Sequence, residues 1–135
     1  MPAPRLITHG LFRETDAGPR LVAARCATCA RMHFPATTWC PYCGERDAAE
    51  TFVGPRARLL LFTTIQSRPP GYRGPLPYGF GVVELDGGLR VVTRLTEHRI
   101  EHLAPNLPMS LVVEPLFTDD DGTPVLSYAF APDTP

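Results

Sequence analysis

The chain has 135 residues, 44% of them hydrophobic, which is enough apolar material for one domain-sized core. No window approaches the roughly 18 consecutive apolar residues of a membrane span, and the N-terminus MPAPRLITHG lacks an apolar signal region, so the expected compartment is the cytoplasm. All 13 cations are arginines, which excludes a lysine nucleophile, and 14 acids bring the net charge to −1 and the isoelectric point to 6.4, against the broadly basic footprint of a nucleic-acid-binding domain.

Charge is unevenly placed along the chain. Residues 1–50 carry six arginines and five acids. Residues 51–83 carry Arg56, Arg58, Arg68 and Arg73 and no acid, and residues 84–135 carry three arginines against nine acids. The acid-free middle is a local candidate for attracting an anion.

Read in order, residues 1–19 form an extension in which Pro2, Pro4, Gly10, Gly18 and Pro19 exclude a long helix. The strongest chemical signal follows: Cys26-Ala-Thr-Cys29 and, ten residues on, Cys40-Pro-Tyr-Cys43-Gly44. Each C-x-x-C turn aims two sulfurs at one point, and two such knuckles complete a tetrahedron of soft ligands suited to zinc, with iron as the competing ion. Four cysteine ligands leave no open position for substrate, so the metal is expected to be structural. The flanks 21–25 and 33–39 read as short strands rather than the strand–helix junction of a redox pair. A module of about thirty residues is too small to fold on apolar burial alone, which makes the metal a folding requirement. Arg25, Arg31 and Arg46 flank the knuckles, where their charges offset the −2 of a zinc–tetrathiolate; His33 reads as an ordinary hairpin residue.

The remainder reads as β. Arg58–Ile65 is rich in β-branched and aromatic residues and ends at a Pro- and Gly-rich loop through Pro77. Strands over 79–85 and 89–95 flank Asp86-Gly87-Gly88; with Gly88 left-handed, this turn pairs Glu84 with Arg90 and Leu85 with Leu89. That register places Val83, Leu85, Leu89, Val91 and Leu95 on one face, and Val82, Glu84, Arg90, Val92 and Arg94 on the other. A helical turn over Glu97–Leu103 stops before Pro105. Strands over 109–117 and 125–130 then flank the polar turn Asp119–Gly122. Five strands with a short helix after the third are the layout of an OB-fold barrel. The fold class is therefore mainly β: an extension over 1–19, a rubredoxin-like zinc ribbon over 20–50 and a five-stranded OB-fold barrel over 51–131.

The succession Arg25-Cys26-x-x-Cys29, Phe34-Pro35, Trp39-Cys40-Pro41-x-Cys43-Gly44, the Pro-rich loop 69–77 and Val82-Val83-Glu84-Leu85-Asp86-x-Gly88 resembles the family of zinc-ribbon/OB-fold acyl-CoA-associated proteins over roughly residues 20–131. The resemblance implies a non-catalytic accessory subunit of a thiolase-fold enzyme, such as an acyl-CoA thiolase or a steroid side-chain aldolase. It further implies a metal on Cys26, Cys29, Cys40 and Cys43 and an acyl-CoA site at or near the shared interface. Ala30 departs from the glycine common after the first knuckle, and the helical lead of many members is not expected here.

With that resemblance, Arg68 and Arg73, interleaved with Tyr72 and Tyr78, become candidates to meet coenzyme A phosphates and adenine; the same residue types also suit a protein–protein patch. His98-Arg-Ile-Glu101-His102 matches the H-x-x-E-H pattern of inverted zinc peptidases, but the short turn ended by Pro105 gives it no helix to stand on. Gly79-x-Gly81 lacks a third glycine and follows a loop, so it is not a dinucleotide fingerprint. The alternative function is a single-stranded nucleic-acid-binding module, which ribbons and OB folds both support but which the acidic C-terminal half opposes.

Overall fold

The computed structural model describes residues 3–8 and 10–133. Ten strands follow in order: β1 Arg5–Leu6, β2 Phe12–Thr15, β3 Gly18–Cys26, β4 Met32–His33, β5 Ala48–Val53, β6 Arg56–Ile65, β7 Tyr78–Leu85, β8 Arg90–Leu95, β9 Pro108–Thr118 and β10 Pro124–Pro132. Among the described residues no helix is long and apolar enough to cross a membrane.

The barrel closes in the order β6, β7, β8, β10, β9 and back to β6. The pairing of β8 with β10 is parallel, through Leu95 and Phe130, while β6 and β9 seal the other seam from Arg56 opposite Ser110 to Arg58 opposite Pro108. Side chains alternate as the sequence requires, and Leu59, Val83, Leu85, Leu89, Val91, Leu95, Met109, Leu111 and Phe130 fill the interior. The β7–β8 hairpin has the expected register, Glu84 opposite Arg90, with both Gly87 (φ 85°) and Gly88 (φ 82°) left-handed. The expected helical turn is a single 3-10 turn, Ile100–His102.

Two glycines are set by close backbone approach. A Cβ at Gly79 would lie 2.1 Å from the Glu97 carbonyl oxygen, and one at Gly81 would lie 2.1 Å from that of Leu61. The Gly79-x-Gly81 pair is thus part of the barrel wall.

In the ribbon, β3 pairs with β2 and β4 along one edge and with β5 along the other. The strand expected over 33–39 is confined to Met32–His33, because Phe34 onward turns away toward the second knuckle. β5 spans Ala48–Val53, on both sides of the boundary expected at residue 50, and pairs with β3 from Cys26 to Leu21. The extension is extended rather than helical: β1 lies parallel to β10, and β2 folds back onto β3 through a turn in which the Thr15 hydroxyl donates to the Gly18 carbonyl at 2.7 Å. Phe12, Leu21, Ala23 and Val53 join the barrel residues in one continuous apolar cluster. Tyr128 of β10 meets the ring edges of Phe12 and Phe34 at centroid distances of 6.2 and 5.7 Å.

Candidate metal centre

The two knuckles are copies of one another. In the first, the Cys26 N–H donates to the Arg31 carbonyl and the Ala30 N–H donates to the Cys26 carbonyl, both at 2.9 Å; in the second, Cys40 and Glu45, then Gly44 and Cys40, repeat the pair at the same distances. Each loop turns through a left-handed residue after its second cysteine, Ala30 (φ 65°) and Gly44 (φ 82°). Glycine accepts that conformation freely, whereas a Cβ there costs on the order of 1 kcal/mol, so the departure noted at Ala30 falls at a strained position.

The sulfurs of Cys26, Cys29, Cys40 and Cys43 lie within 4.8 Å of one another. Cys26 and Cys43 are 3.6 Å apart and Cys29 and Cys40 are 3.5 Å apart. A tetrahedron of metal–sulfur bonds of about 2.3 Å has edges of about 3.8 Å, so the four donors fit one ion. Backbone N–H groups point at sulfur, from Cys29 to Cys26 and from Tyr42 to Cys40, both at 3.4 Å. Burial alone would raise the Cys40 thiol, but the N–H groups of Cys43 and Tyr42 and the neighbouring thiols outweigh it and bring it to about 7. At Cys26 the Cys29 N–H favours the thiolate, yet burial, Cys43 and Asp47 together push the thiol up to about 12. A bound dication reverses that balance by holding all four sulfurs deprotonated. Cys26 and Cys40 are buried, Cys29 is half-buried and Cys43 is exposed.

The surroundings brace the cage. Asp47 accepts from the Thr28 hydroxyl at 2.5 Å and from the Cys26 thiol at 3.3 Å, contacts that hold its carboxyl below the usual range. Arg25 donates to the Ala30 carbonyl at 2.9 Å, locking the first knuckle. Arg46 stacks on Trp39 at 3.9 Å and Arg31 on Tyr42 at 5.1 Å, so two of the flanking arginines rest on exposed aromatic rings. His33 is buried and is not part of the four-sulfur cluster; its Nε2 lies 2.9 Å from the Thr37 hydroxyl.

Of the four residues read as acyl-CoA contacts, Arg68 and Tyr72 of the loop before β7 and Tyr78 at the start of β7 are brought together, while Arg73 is turned to another corner. Tyr72 and Tyr78 stack at 4.7 Å, and Arg68 lies 5.7 Å over the Tyr72 ring. Arg68 spends its guanidinium on the loop itself, donating to the carbonyls of Tyr72 at 3.1 Å and Gly74 at 2.9 Å. Arg73 crosses to the β9–β10 turn, pairing with Asp119 at 3.2 Å and Asp120 at 3.3 Å and stacking on Phe117 at 4.5 Å. Asp119 also binds Arg5 at 2.6 Å, tying the extension to the same corner. The partners at Asp119 and Asp120 were invisible in the sequence, where only the absence of nearby acids is apparent. The H-x-x-E-H residues form no ligand set: His102 turns to Glu97 at 3.0 Å, and among the described residues the four cysteines are the only metal-ligating cluster.

This architecture, a two-knuckle ribbon joined to a closed OB barrel, defines a class of two-part zinc-ribbon/OB-fold proteins. The zinc-ribbon and OB-fold domains of the ChsH2 family match residues 17–48 and 50–114, described as "ChsH2, rubredoxin-like zinc ribbon domain" and "ChsH2, C-terminal OB-fold domain", and the chain belongs to that family. A "DUF35 domain-containing scaffold protein" of Pyrococcus furiosus is 27% identical over 122 residues, covering 90% of this chain and 87% of the relative. The "Benzoylsuccinyl-CoA thiolase subunit BbsA" of Thauera aromatica is 28% identical over 112 residues, covering 83% of this chain and 76% of the relative. The solved structure named "Ltp2-ChsH2(DUF35) aldolase" superimposes with a TM-score of 0.64 at 26% identity, covering 84% of each chain.

Proposed function

We propose that this chain is a non-catalytic, zinc-binding accessory subunit of a thiolase-fold acyl-CoA enzyme, whether thiolase or aldolase. The observation that carries the reading is the likeness, over more than four fifths of this chain, to chains named as a thiolase subunit and as part of an aldolase, joined to a cage of four cysteines that leaves a metal no open coordination position. The ribbon, framed by its ion and packed on the barrel through Phe12, Phe34 and Tyr128, gives a rigid body suited to docking. Zinc is assigned as the structural ion on Cys26, Cys29, Cys40 and Cys43, and the division into extension (1–19), ribbon (20–50) and barrel (51–131) is retained as the working partition.

The test is association. The chain is expected to co-purify in fixed stoichiometry with a thiolase-fold subunit and to show no acyl-CoA turnover by itself. Isolation without such a partner, combined with salt-sensitive binding to single-stranded oligonucleotides, would favour the nucleic-acid module instead.

The finer reading places acyl-CoA at the shared interface against Arg68, Tyr72, Arg73 and Tyr78. Its support is the cluster of stacked Tyr72 and Tyr78 with Arg68 over the Tyr72 ring, a combination suited to adenine and phosphate, with Arg73 next to Tyr72 in the chain. A phosphate at Arg73 must compete with Asp119 and Asp120, so Asp120→Asn is expected to tighten coenzyme A binding by the assembled complex, and Arg68→Ala and Arg73→Ala to weaken it. Unchanged affinity in all three variants would remove coenzyme A from this loop.

A further inference from the structure

We propose that the outer face of β6, β7 and β8 docks a protein partner through a stripe of aliphatic side chains, Leu61, Val82 and Val92, and that the matching partner surface is apolar with an acidic rim. The inference deepens the accessory-subunit reading and rests on it.

The strand register lays these residues out as three rows across the sheet. Arg58, Glu84 and Arg90 stand opposite one another in the first, Leu61, Val82 and Val92 in the second, and Thr63, Phe80 and Arg94 in the third. Neighbouring strands are about 4.8 Å apart, so the middle row is a continuous apolar stripe about 10 Å across. Leu61 is 67% exposed, Val92 58% and Phe80 37%. Isolated exposed aliphatics are ordinary; here exposed Leu61 and Val92 flank half-buried Val82 in direct register on three adjacent strands, with Phe80 beside them, and together they form a patch.

A bulge in β6 decides which of its residues join this stripe. From buried Leu59, simple alternation would turn Leu61 inward and Phe62 outward. A bulge between Leu59 and Leu61 reverses that phase, sending Leu61 to solvent and packing Phe62 on the core. The bulge brings the Leu61 carbonyl against Gly81, where no side chain could stand.

The chemistry of the rows selects the occupant. The stripe itself is aliphatic and only Phe80 beside it offers a ring, whereas a nucleic acid is held on successive aromatic platforms, which disfavours that occupant on this face. Arginine borders the stripe on both sides. Glu84 is shared between Arg58 at 2.6 Å and Arg90 at 3.2 Å, and Arg94 faces Glu114 at 2.8 Å, which leaves three arginines around two acids. Arg58 and Arg90 keep more than half of their side-chain surface in solvent and so can accept further carboxylates. A second copy of this chain set face to face would oppose arginine to arginine; a partner with acids around an apolar centre would complement both parts.

The experiment uses the full chain to retain its thiolase-fold subunit from the native host, identified by peptide mass and repurified for titration. Leu61→Glu, which sets a charge on the most exposed residue of the stripe, is expected to weaken retention at least about 30-fold, with metal content and unfolding temperature unchanged. Arg90→Glu is expected to weaken retention and to flatten its dependence on salt, and Ile7→Glu, on the extension, to leave it unchanged. Val92→Glu, on the far edge of the stripe, provides a second reading should Leu61→Glu disturb folding. Wild-type retention by both Leu61→Glu and Val92→Glu would overturn the docking face while leaving the accessory-subunit reading intact. So would a homodimer, or oligonucleotide binding, that Leu61→Glu abolishes. Failure of the wild-type chain to retain any thiolase-fold subunit would overturn both.

Discussion

Met32 of the ribbon and Gly87 of the barrel hairpin interlock: a Cβ added at Gly87 would lie 2.5 Å from Met32 Cε. The first knuckle therefore leans on the β7–β8 turn, whose left-handed glycines give the chain a tight reversal and leave room for the methionine.

This contact can be separated from backbone strain. Gly87 and Gly88 have nearly the same φ, but nothing lies within 4 Å of a Cβ built at Gly88. Gly88→Ala is expected to cost about 1 kcal/mol through its backbone alone. Gly87→Ala is expected to cost more, by less than about 1 kcal/mol because the flexible end of Met32 yields, and Met32→Ala should abolish the difference. Denaturant titration of each glycine variant, with and without Met32→Ala, and of Met32→Ala alone checks this.

The paired knuckles make a second prediction. Ala30→Gly is expected to stabilise the chain by about 0.5–1 kcal/mol, and Gly44→Ala to destabilise it by a similar amount, since both residues are left-handed and no atom lies near Gly44. Unfolding midpoints measured with metal in excess would reveal the opposite signs.

The acid limb of stability has an assignable origin. Glu97 accepts from the Arg99 side chain at 2.9 and 3.0 Å, from the Arg99 N–H at 2.9 Å and from His102 at 3.0 Å, and these donors, Arg99 first, hold its carboxyl far below the usual range. Arg58, then Arg90, lowers Glu84 in the same direction. A carboxylate with a depressed folded pKa stabilises the fold above its unfolded value of about 4.3, and that stability is lost as pH falls below it. The unfolding temperature is expected to decline below about pH 4.3, less steeply in Glu97→Gln, with no difference in slope between the two chains from pH 5 to 7. A parallel decline in both chains would contradict the assignment.

The parts of this protein that local chemistry controls could be read from its residues. Cysteine spacing located the cage, and alternation around Asp86-Gly87-Gly88 gave the hairpin its register because a one-residue slip would have put Val83 and Val91 in water. What could not be read depends on contacts distant in sequence. β1 is two residues long and exists only because β10 offers it an edge. Arg73 seemed free of acids because Asp119 is 46 residues away. The bulge before Leu61 has no signature in the run Leu59-Leu60-Leu61, where every residue is a leucine and the phase change leaves no mark; only Gly81, on the partner strand, hints at it.

The central claim is that one ion, held by Cys26, Cys29, Cys40 and Cys43, organises the ribbon against the barrel. Elemental analysis of the purified chain, paired with thiol titration, tests it most directly. The account predicts one zinc ion per chain, four thiols that resist alkylation until a strong chelator is added, and loss of ribbon structure on chelation. A metal-free chain with four freely reactive thiols and an unaltered fold would contradict it.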